Sequence, residues 1–321
     1  KQKSKKETYG NTDLVLIKNK DVLNTINKYL NIRNEEKKLF GEVFTPVELV
    51  CEMLDKLPSE VWKDSKLKWL DPASGIGNFP IVVYYKLMEG LKNVKGYETE
   101  DKRSKHIIEN MLYMVELNPV NVKVCRKIFK LIHKNVTPNI SNSNFLTEEK
   151  KWKKHFKTDK YDIIMGNPPY QKQKKGESIG HANTQPIWQD FIEQSLNKSL
   201  KNNGYLVFVN PSGWRDVKGQ HKKIFKLLQD RDLQHLVMRS FKDGAQTFGG
   251  SATNYDYYCL KNTLTNTNKT KINDIDRNEL ELNLNNYDFI PSGKFKVFNK
   301  LVNKKNSVKM VEGSTYHIQK S

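Results

Sequence analysis

Residues 67–91 read "LKWLDPASGIGNFPIVVYYKLMEGL". A short apolar run ends at Asp71, a turn with two glycines follows, and from Asn78 the text becomes a long apolar helix. Strand, glycine turn and helix form the opening half of a βα unit, and the same pattern recurs downstream. "MLYMVEL" reads as a strand, and "NPVNVKVCRKIFKLIH" as a helix with Asn118 at its cap and Pro119 inside. The alternation continues with "YDIIMG", "QPIWQDFIEQSLNKSL", "GYLVFVN", "HKKIFKLLQD" and "LQHLVMRSF", and "ATNYDYYCLKN" is a final strand. Strands separated by helical crossovers imply an α/β fold: a mostly parallel sheet with helices on both faces.

The turn itself, "DPASGIGNF", carries Gly75 and Gly77, which let the backbone bend tightly and approach a ligand without a side chain in the way. It lacks the third glycine of the dinucleotide fingerprint, so a pyrophosphate is not the expected ligand. Glu116 ends the next strand, where a carboxylate can accept bonds from both hydroxyls of a ribose. The plainer alternative is that Glu116 faces solvent or caps the following helix. Glycine turn, ribose acceptor and no phosphate signature together describe a nucleoside cofactor with a non-phosphate tail. S-adenosylmethionine fits.

A second loop stands out. In "YDIIMGNPPYQ", residues 161–171, an apolar strand ends at Gly166 and two prolines follow that cannot join a sheet ladder. They make a stiff loop at a strand's carboxyl end, where ligands of open α/β sheets collect. Its chemistry suits an exocyclic amine, whose lone pair is delocalised into a ring. If the side-chain oxygen of Asn167 and the carbonyl of Pro168 each accept one amino hydrogen, the lone pair turns outward and charge developing on nitrogen is stabilised. Tyr170 offers a face on which an extruded base can stack.

"NPPY" after an apolar strand, "DPASGIGNF" upstream and "FTP" before that closely resemble the amino-methyltransferases of DNA, in the gamma arrangement that places "FTP" first. The text from "GEVFTPVELV" to "FGGSATNYDYY" is most similar to the adenine-specific methylases of combined restriction-modification enzymes, over roughly 40–262. The resemblance implies a Rossmann-like, S-adenosylmethionine-dependent methyltransferase fold with an antiparallel strand at one edge. It also implies roles. Phe44, Thr45 and Pro46 would wall the methionine part of the cofactor; Asp71, Ala73, Ser74, Gly75 and Gly77 would surround its amino-acid end. Glu116 would hold the ribose, with Leu117 against the adenine. Asn144 stands where the family has an aspartate that accepts from the adenine amine, and Phe145 would stack on the cofactor ring. Asn167, Pro168, Pro169 and Tyr170 would form the catalytic tetrad, with Phe248 as the second face of the base pocket; a phenylalanine before two glycines can equally be a loop anchor. No metal is expected.

The net charge of +19 supports a polyanionic partner, here duplex DNA with a flipped adenine. Lysine and asparagine are spread through the whole chain, as AT-rich coding would produce, so the charge is support only. Lysines in "QKQKKGE" and "KGQHKKIFK" are candidates for phosphate contact. Three isolated cysteines imply a reducing, cytoplasmic setting, and no apolar stretch approaches the length of a membrane span. The expected organisation is a basic arm and helical lead-in over 1–39, with Val22, Ile26 and Tyr29 on one face, and a catalytic domain over 40–262 whose first helix has Thr45 as cap and Pro46 as first residue. Residues 263–321 read as a linker and the start of an incomplete target-recognition region. The chain reads as a fragment, with a recognition domain or nuclease part expected elsewhere in the full protein.

Alternatives remain. RNA-guanine and protein-glutamine methyltransferases share the tetrad but normally lack the "FTP" helix. Modification subunits of multi-subunit systems usually end the tetrad with phenylalanine. Cytosine-ring methylation needs a cysteine after proline, and Cys51, Cys125 and Cys259 follow none. A non-catalytic DNA-binding remnant is a further class, against which the intact tetrad argues.

Overall fold

The computed structural model describes residues 45–171, 186–216, 218–219, 221–248, 253–265, 269–295 and 297–298. The lead-in helix, Phe44 and the lysines of "QKQKKGE" lie outside the described residues.

A sheet of nine strands organises the molecule: β1 (Trp69–Asp71), β2 (Leu112–Glu116), β3 (Asn139–Asn142), β4 (Tyr161–Gly166), β5 (Leu200–Pro211), β6 (Arg231–Arg239), β7 (Tyr255–Leu264), β8 (Thr270–Asn273) and β9 (Glu279–Leu282). Their spatial order is β3-β2-β1-β4-β5-β7-β6-β8-β9. Strands β1 to β6 and β8 run one way; β7, inserted between β5 and β6, and β9, at the edge, run against them. The chain winds outward from β1 through β2 to β3, then returns to place β4 on the other side of β1. The strand order therefore reverses between β1 and β4, and a crevice opens at their carboxyl ends.

Helices cover both faces. One carries α1 (Val47–Leu54), α2 (Asn78–Gly90) and α4 (Pro119–Ile132); the other carries α5 (Glu149–Phe156), α6 (Trp188–Gln194) and α7 (Lys222–Gln229). Two further helices are α3 (Glu100–His106) and α8 (Phe241–Phe248). The period of two along each strand divides the core: Trp69, Met114, Ile163, Val207 and Tyr257 face the first layer, Leu70, Val115, Ile164, Phe208 and Tyr258 the second. Both faces being buried explains why these strands read as continuous apolar runs. No helix among the described residues is long and apolar enough to cross a membrane.

Two expectations are corrected. The cap of α1 is Pro46, held extended at ψ 145°, and Val50 N–H donates to its carbonyl at 3.1 Å. The residue before a proline is pushed out of helical conformation, so Thr45 stays outside the helix and makes no side-chain cap. Second, the asparagine-rich stretch after 262 is part of the same sheet: β7 runs on to Leu264, and β8 and β9 extend the edge. Thr270, Ile272, Leu284, Ile290 and Phe295 are buried there. Strands β8 and β9 are four residues long, β8 with two buried positions and β9 with two half-buried ones, so their polar side chains hid the alternation.

Candidate active site

The first half of the crevice is the turn after β1. Gly75 and Gly77 have φ of +55° and +98°, and a Cβ on Gly77 would lie 2.7 Å from the Cys125 thiol on α4. Both features require glycine. Ser74 N–H donates to Val115 O at 3.0 Å, and Gly75 N–H to Glu116 Oε2 at 2.7 Å. The other oxygen of Glu116 accepts from Asn118 N–H at 2.7 Å and the Asn121 amide at 3.3 Å, so this carboxylate ties the glycine turn to the start of α4. Asn118 caps that helix as expected, accepting from Val120 N–H at 2.9 Å. Asp71 is buried and accepts from Ala73 N–H at 3.1 Å. Burial raises its carboxyl well above the usual aspartate range, the Ala73 N–H opposes this, and the nearby Glu116 charge adds to it. Leu117, beside Glu116, is exposed.

Two short approaches bring neighbouring segments to this turn, and two further contacts hold the residues after the tetrad. The Asn78 amide, at the head of α2, donates to Thr45 O at 2.8 Å, which draws the residues before α1 to the glycines. A Cβ on Gly166 would sit 3.0 Å from Asp71 Oδ1, so the end of β4 lies directly against the end of β1. Tyr170 O accepts from Ile187 N–H at 3.1 Å, and Gln171 bridges to Pro186, so the chain on either side of 172–185 is held together.

Within the tetrad, Pro168 is buried, Pro169 exposed, and Asn167 and Tyr170 half-buried. The Asn167 Oδ1 and the Tyr170 hydroxyl are nonetheless buried atoms without a hydrogen-bond partner. Buried acceptors are almost always paired, so an oxygen held this way at the mouth of a crevice is suited to a ligand's donor. Ser74 Oγ and Asn78 Oδ1 are in the same condition.

Three expected residues are placed otherwise. Phe145 is 2% exposed, stacked between Trp152 at 5.3 Å and Phe191 at 5.6 Å, and its ring has no face for a cofactor. Its carbonyl accepts from the Trp152 indole, which fixes the arrangement. Asn144 Oδ1 already accepts from Leu146 and Thr147 N–H at 2.9 and 3.1 Å, capping the turn into α5, so both its lone pairs are used. Phe248 is 5% exposed and lies edge-on to Tyr255 at 5.1 Å in the α1/α2 layer, whereas Tyr170 packs against the opposite layer.

Residues passed over in the sequence complete the tetrad's surroundings. Asn210 and Asp256 are register partners on β5 and β7, fully buried, and Arg215 Nε lies 3.0 Å from Asp256 Oδ2. The available signal was an asparagine and an aspartate inside the apolar runs "LVFVN" and "NYDYY". Among the described residues no three of His, Cys, Asp and Glu gather as a metal would need.

Residues 85–248, just over half of the chain, match the family described as Eco57I restriction-modification methylase. The chain belongs to that family. A protein of Mycoplasma pneumoniae described as an uncharacterized adenine-specific methylase is 28% identical over 239 residues, the match covering 54% of this chain and 55% of that one. Of solved structures, the modification subunit of a putative type I restriction enzyme from Vibrio vulnificus aligns with TM-score 0.56 at 18% identity, covering 84% of this chain and 54% of that one. A nuclease-deletion mutant of the Type ISP enzyme LlaGI, in complex with a DNA substrate mimic, aligns at 0.54 and 17%, covering 78% and 29%. Likeness at this identity concerns the fold, and it agrees with the mostly parallel sheet. The chain spans about half the length of the Mycoplasma and Vibrio proteins and under a third of the LlaGI chain.

Proposed function

We propose that this chain transfers a methyl group from S-adenosylmethionine to the exocyclic amino group of adenine in DNA, as the methylase part of a restriction-modification system. The single observation that carries the reading is the unpaired, buried Oδ1 of Asn167, held at the switch point between the strand ends of Asp71 and Gly166. An acceptor left without a partner costs free energy unless a ligand pairs with it, and an amino hydrogen is the donor this chemistry offers.

The residues at the turn fit the cofactor. Two glycines at positive φ, one of them with no room for a Cβ, provide the cradle, and the buried Ser74 hydroxyl and Asn78 Oδ1 are suited to a polar ligand. Glu116, bonded to the turn and to the start of α4, stands at the carboxyl end of β2, the place where a carboxylate would meet a ribose. When bound, S-adenosylmethionine supplies an electrophilic methyl carbon on a sulfonium, so the amine gains a carbon, sulfur keeps the electron pair of the broken bond, and one amino proton is released. Asn167 and the Pro168 carbonyl orient the amine and accept its hydrogens, and Tyr170 stacks the base. No covalent nucleophile takes part; Cys125 and Cys259 are buried, and burial pushes both thiols up, the latter to about 12.

Adenine in DNA is favoured by the family, by the excess of basic residues and by relatives described as adenine-specific or bound to DNA. The test incubates the chain with methyl-labelled cofactor and mixed genomic DNA, then separates nucleosides, with RNA and protein as parallel acceptors. Label in N6-methyladenine is expected. Label confined to cytosine, RNA or glutamine overturns the reading.

A further inference from the structure

Behind the tetrad, on the side of the sheet away from α1 and α2, polar groups gather in an otherwise apolar layer. The hydroxyls of Tyr170 and Tyr258 and the Asn210 Oδ1 are all buried without a hydrogen-bond partner, and the Trp214 indole N–H, also buried, is turned towards the Asp256 carboxylate and lowers its carboxyl. Asp256 lies among them with no exposure; its ion pair to Arg215 at 3.0 Å is not an aligned hydrogen bond. So many unpaired groups in one place is unusual, since buried polar atoms are normally bonded to protein or ordered water. Three are potential donors, and the acceptors are Asn210 and the Asp256 carboxylate.

Strand pairing puts Asn210 and Asp256 side by side, and Tyr258, two residues along, shares their face. Gly166 pairs with Phe208 on β5, so the tetrad that follows leads towards Asn210 and its partner Asp256, whose charge adds to burial and to Tyr255 in pushing the Tyr170 phenol up. On its other side Arg215 is held by several contacts. Its Nη1 reaches the Met238 sulfur at 3.0 Å, its Nη2 donates to Ser292 Oγ at 3.0 Å, and its carbonyl accepts from Ile290 N–H at 2.9 Å. Arg215 is thus clamped between β6 and the segment after β9; its Nε donates to Ser212 O at 3.3 Å and faces Asp256 as a charge.

We propose that Asp256 is a positioning residue for the tetrad: its carboxylate, fixed by Arg215, holds the Tyr170 hydroxyl through a bridging water and so sets the plane on which the target base stacks. This rests on the methyltransfer reading above and adds a residue to it. Asp256 touches neither cofactor nor base. The charged and titratable groups that face it are Arg215, Tyr170 and Tyr258, with Trp214 beside it. Burial raises its carboxyl to about 6, with Arg215 and then Trp214 opposing. The acceptor is therefore charged above that pH and protonated below it.

A double-mutant cycle tests this, with Asp256→Asn, Tyr170→Phe and the pair, all in the full chain. Both changes keep shape, and Tyr170→Phe keeps the stacking face. Single-turnover transfer to genomic DNA should slow about tenfold in each single variant and no further in the double variant, with cofactor affinity unchanged. The wild-type rate should fall as pH drops through about 6, and Tyr170→Phe should remove that limb. The same four proteins are unfolded in urea, where contact between the two groups predicts non-additive midpoints whatever the reaction. Additive effects in rate and in midpoint overturn the proposal. A wild type that transfers nothing while the midpoints stay coupled sinks the methyltransfer reading and leaves the contact standing.

Discussion

The two halves of the crevice differ in what holds them. Around the glycine turn four backbone N–H groups meet a partner, Ser74 at Val115 O, Gly75 and Asn118 at Glu116 and Ala73 at Asp71, and the side-chain oxygens of Ser74 and Asn78 are left over there. Around the tetrad, side-chain atoms are buried without partners, namely the oxygens of Asn167, Asn210, Tyr170 and Tyr258. The difference separates two tasks. A cofactor cradle must exist before its ligand arrives, whereas an acceptor for a transferred amine is useful only if nothing in the protein already occupies it. The first half should therefore respond to mutation chiefly in stability and cofactor affinity, the second chiefly in rate.

The largest expected effect on the first half is that of Glu116→Ala, which strips the partners from Gly75 and Asn118 N–H and leaves buried donors behind, at about 2 to 4 kcal/mol of unfolding free energy. Urea denaturation reads this, and calorimetry with S-adenosylmethionine should show weakened binding in parallel. Unchanged values of both would dissolve the distinction between the halves. Gly77→Ala comes next. With φ of +98° and a Cβ 2.7 Å from the Cys125 thiol, it should cost about 1 to 2 kcal/mol, and Cys125→Ala in the same chain should relieve part of it by removing the clash. No relief would mean that the backbone conformation alone accounts for the cost.

How far these halves were legible beforehand depended on local text. Asn118, Pro119 and the two glycines declare themselves because capping and positive φ select particular residues within a few positions. Phe145 and Phe248 did not, since an aromatic beside a site and an aromatic in the core have the same local signature; Trp152 and Phe191, which bury Phe145, lie 7 and 46 residues away. Asn144 was misjudged for a related reason. Its oxygen serves the next turn's N–H groups, a local alternative that asparagine always offers. The β8–β9 edge was missed because two strands of four residues carry too little periodicity to stand out from an asparagine-rich linker. The chamber of Asn210, Arg215 and Asp256 arises from strand pairing between segments 46 residues apart, which no spacing along the chain encodes.

The smallest effect separates the halves by pH. The Asp256 carboxyl sits at about 6 in the folded chain, above the ordinary aspartate value, so the folded state holds the extra proton between the two. Stability from this group therefore rises as pH falls through about 6 and is fully present below the ordinary value. Asp71 acts in the same direction, while Asp243, lowered by its bonds to Ser240 and the Arg277 charge against the opposing burial, acts in the reverse sense at more acid pH. Between pH 7 and 5 the wild type should gain about 1 kcal/mol over Asp256→Asn. Urea midpoints of the two proteins moving in parallel across that range would remove the raised carboxyl from the account.

The central claim is that Asn167 carries an acceptor reserved for the substrate, and single-turnover methylation by Asn167→Ala tests it most directly, with cofactor binding and unfolding followed on the same sample. Transfer should slow by about a hundredfold or more, as when one oriented stabilising group is lost, while cofactor affinity and stability stay near the wild type because the oxygen removed had no partner. Transfer at the wild-type rate, or a slowing matched by equal loss of cofactor affinity or of stability, would contradict it.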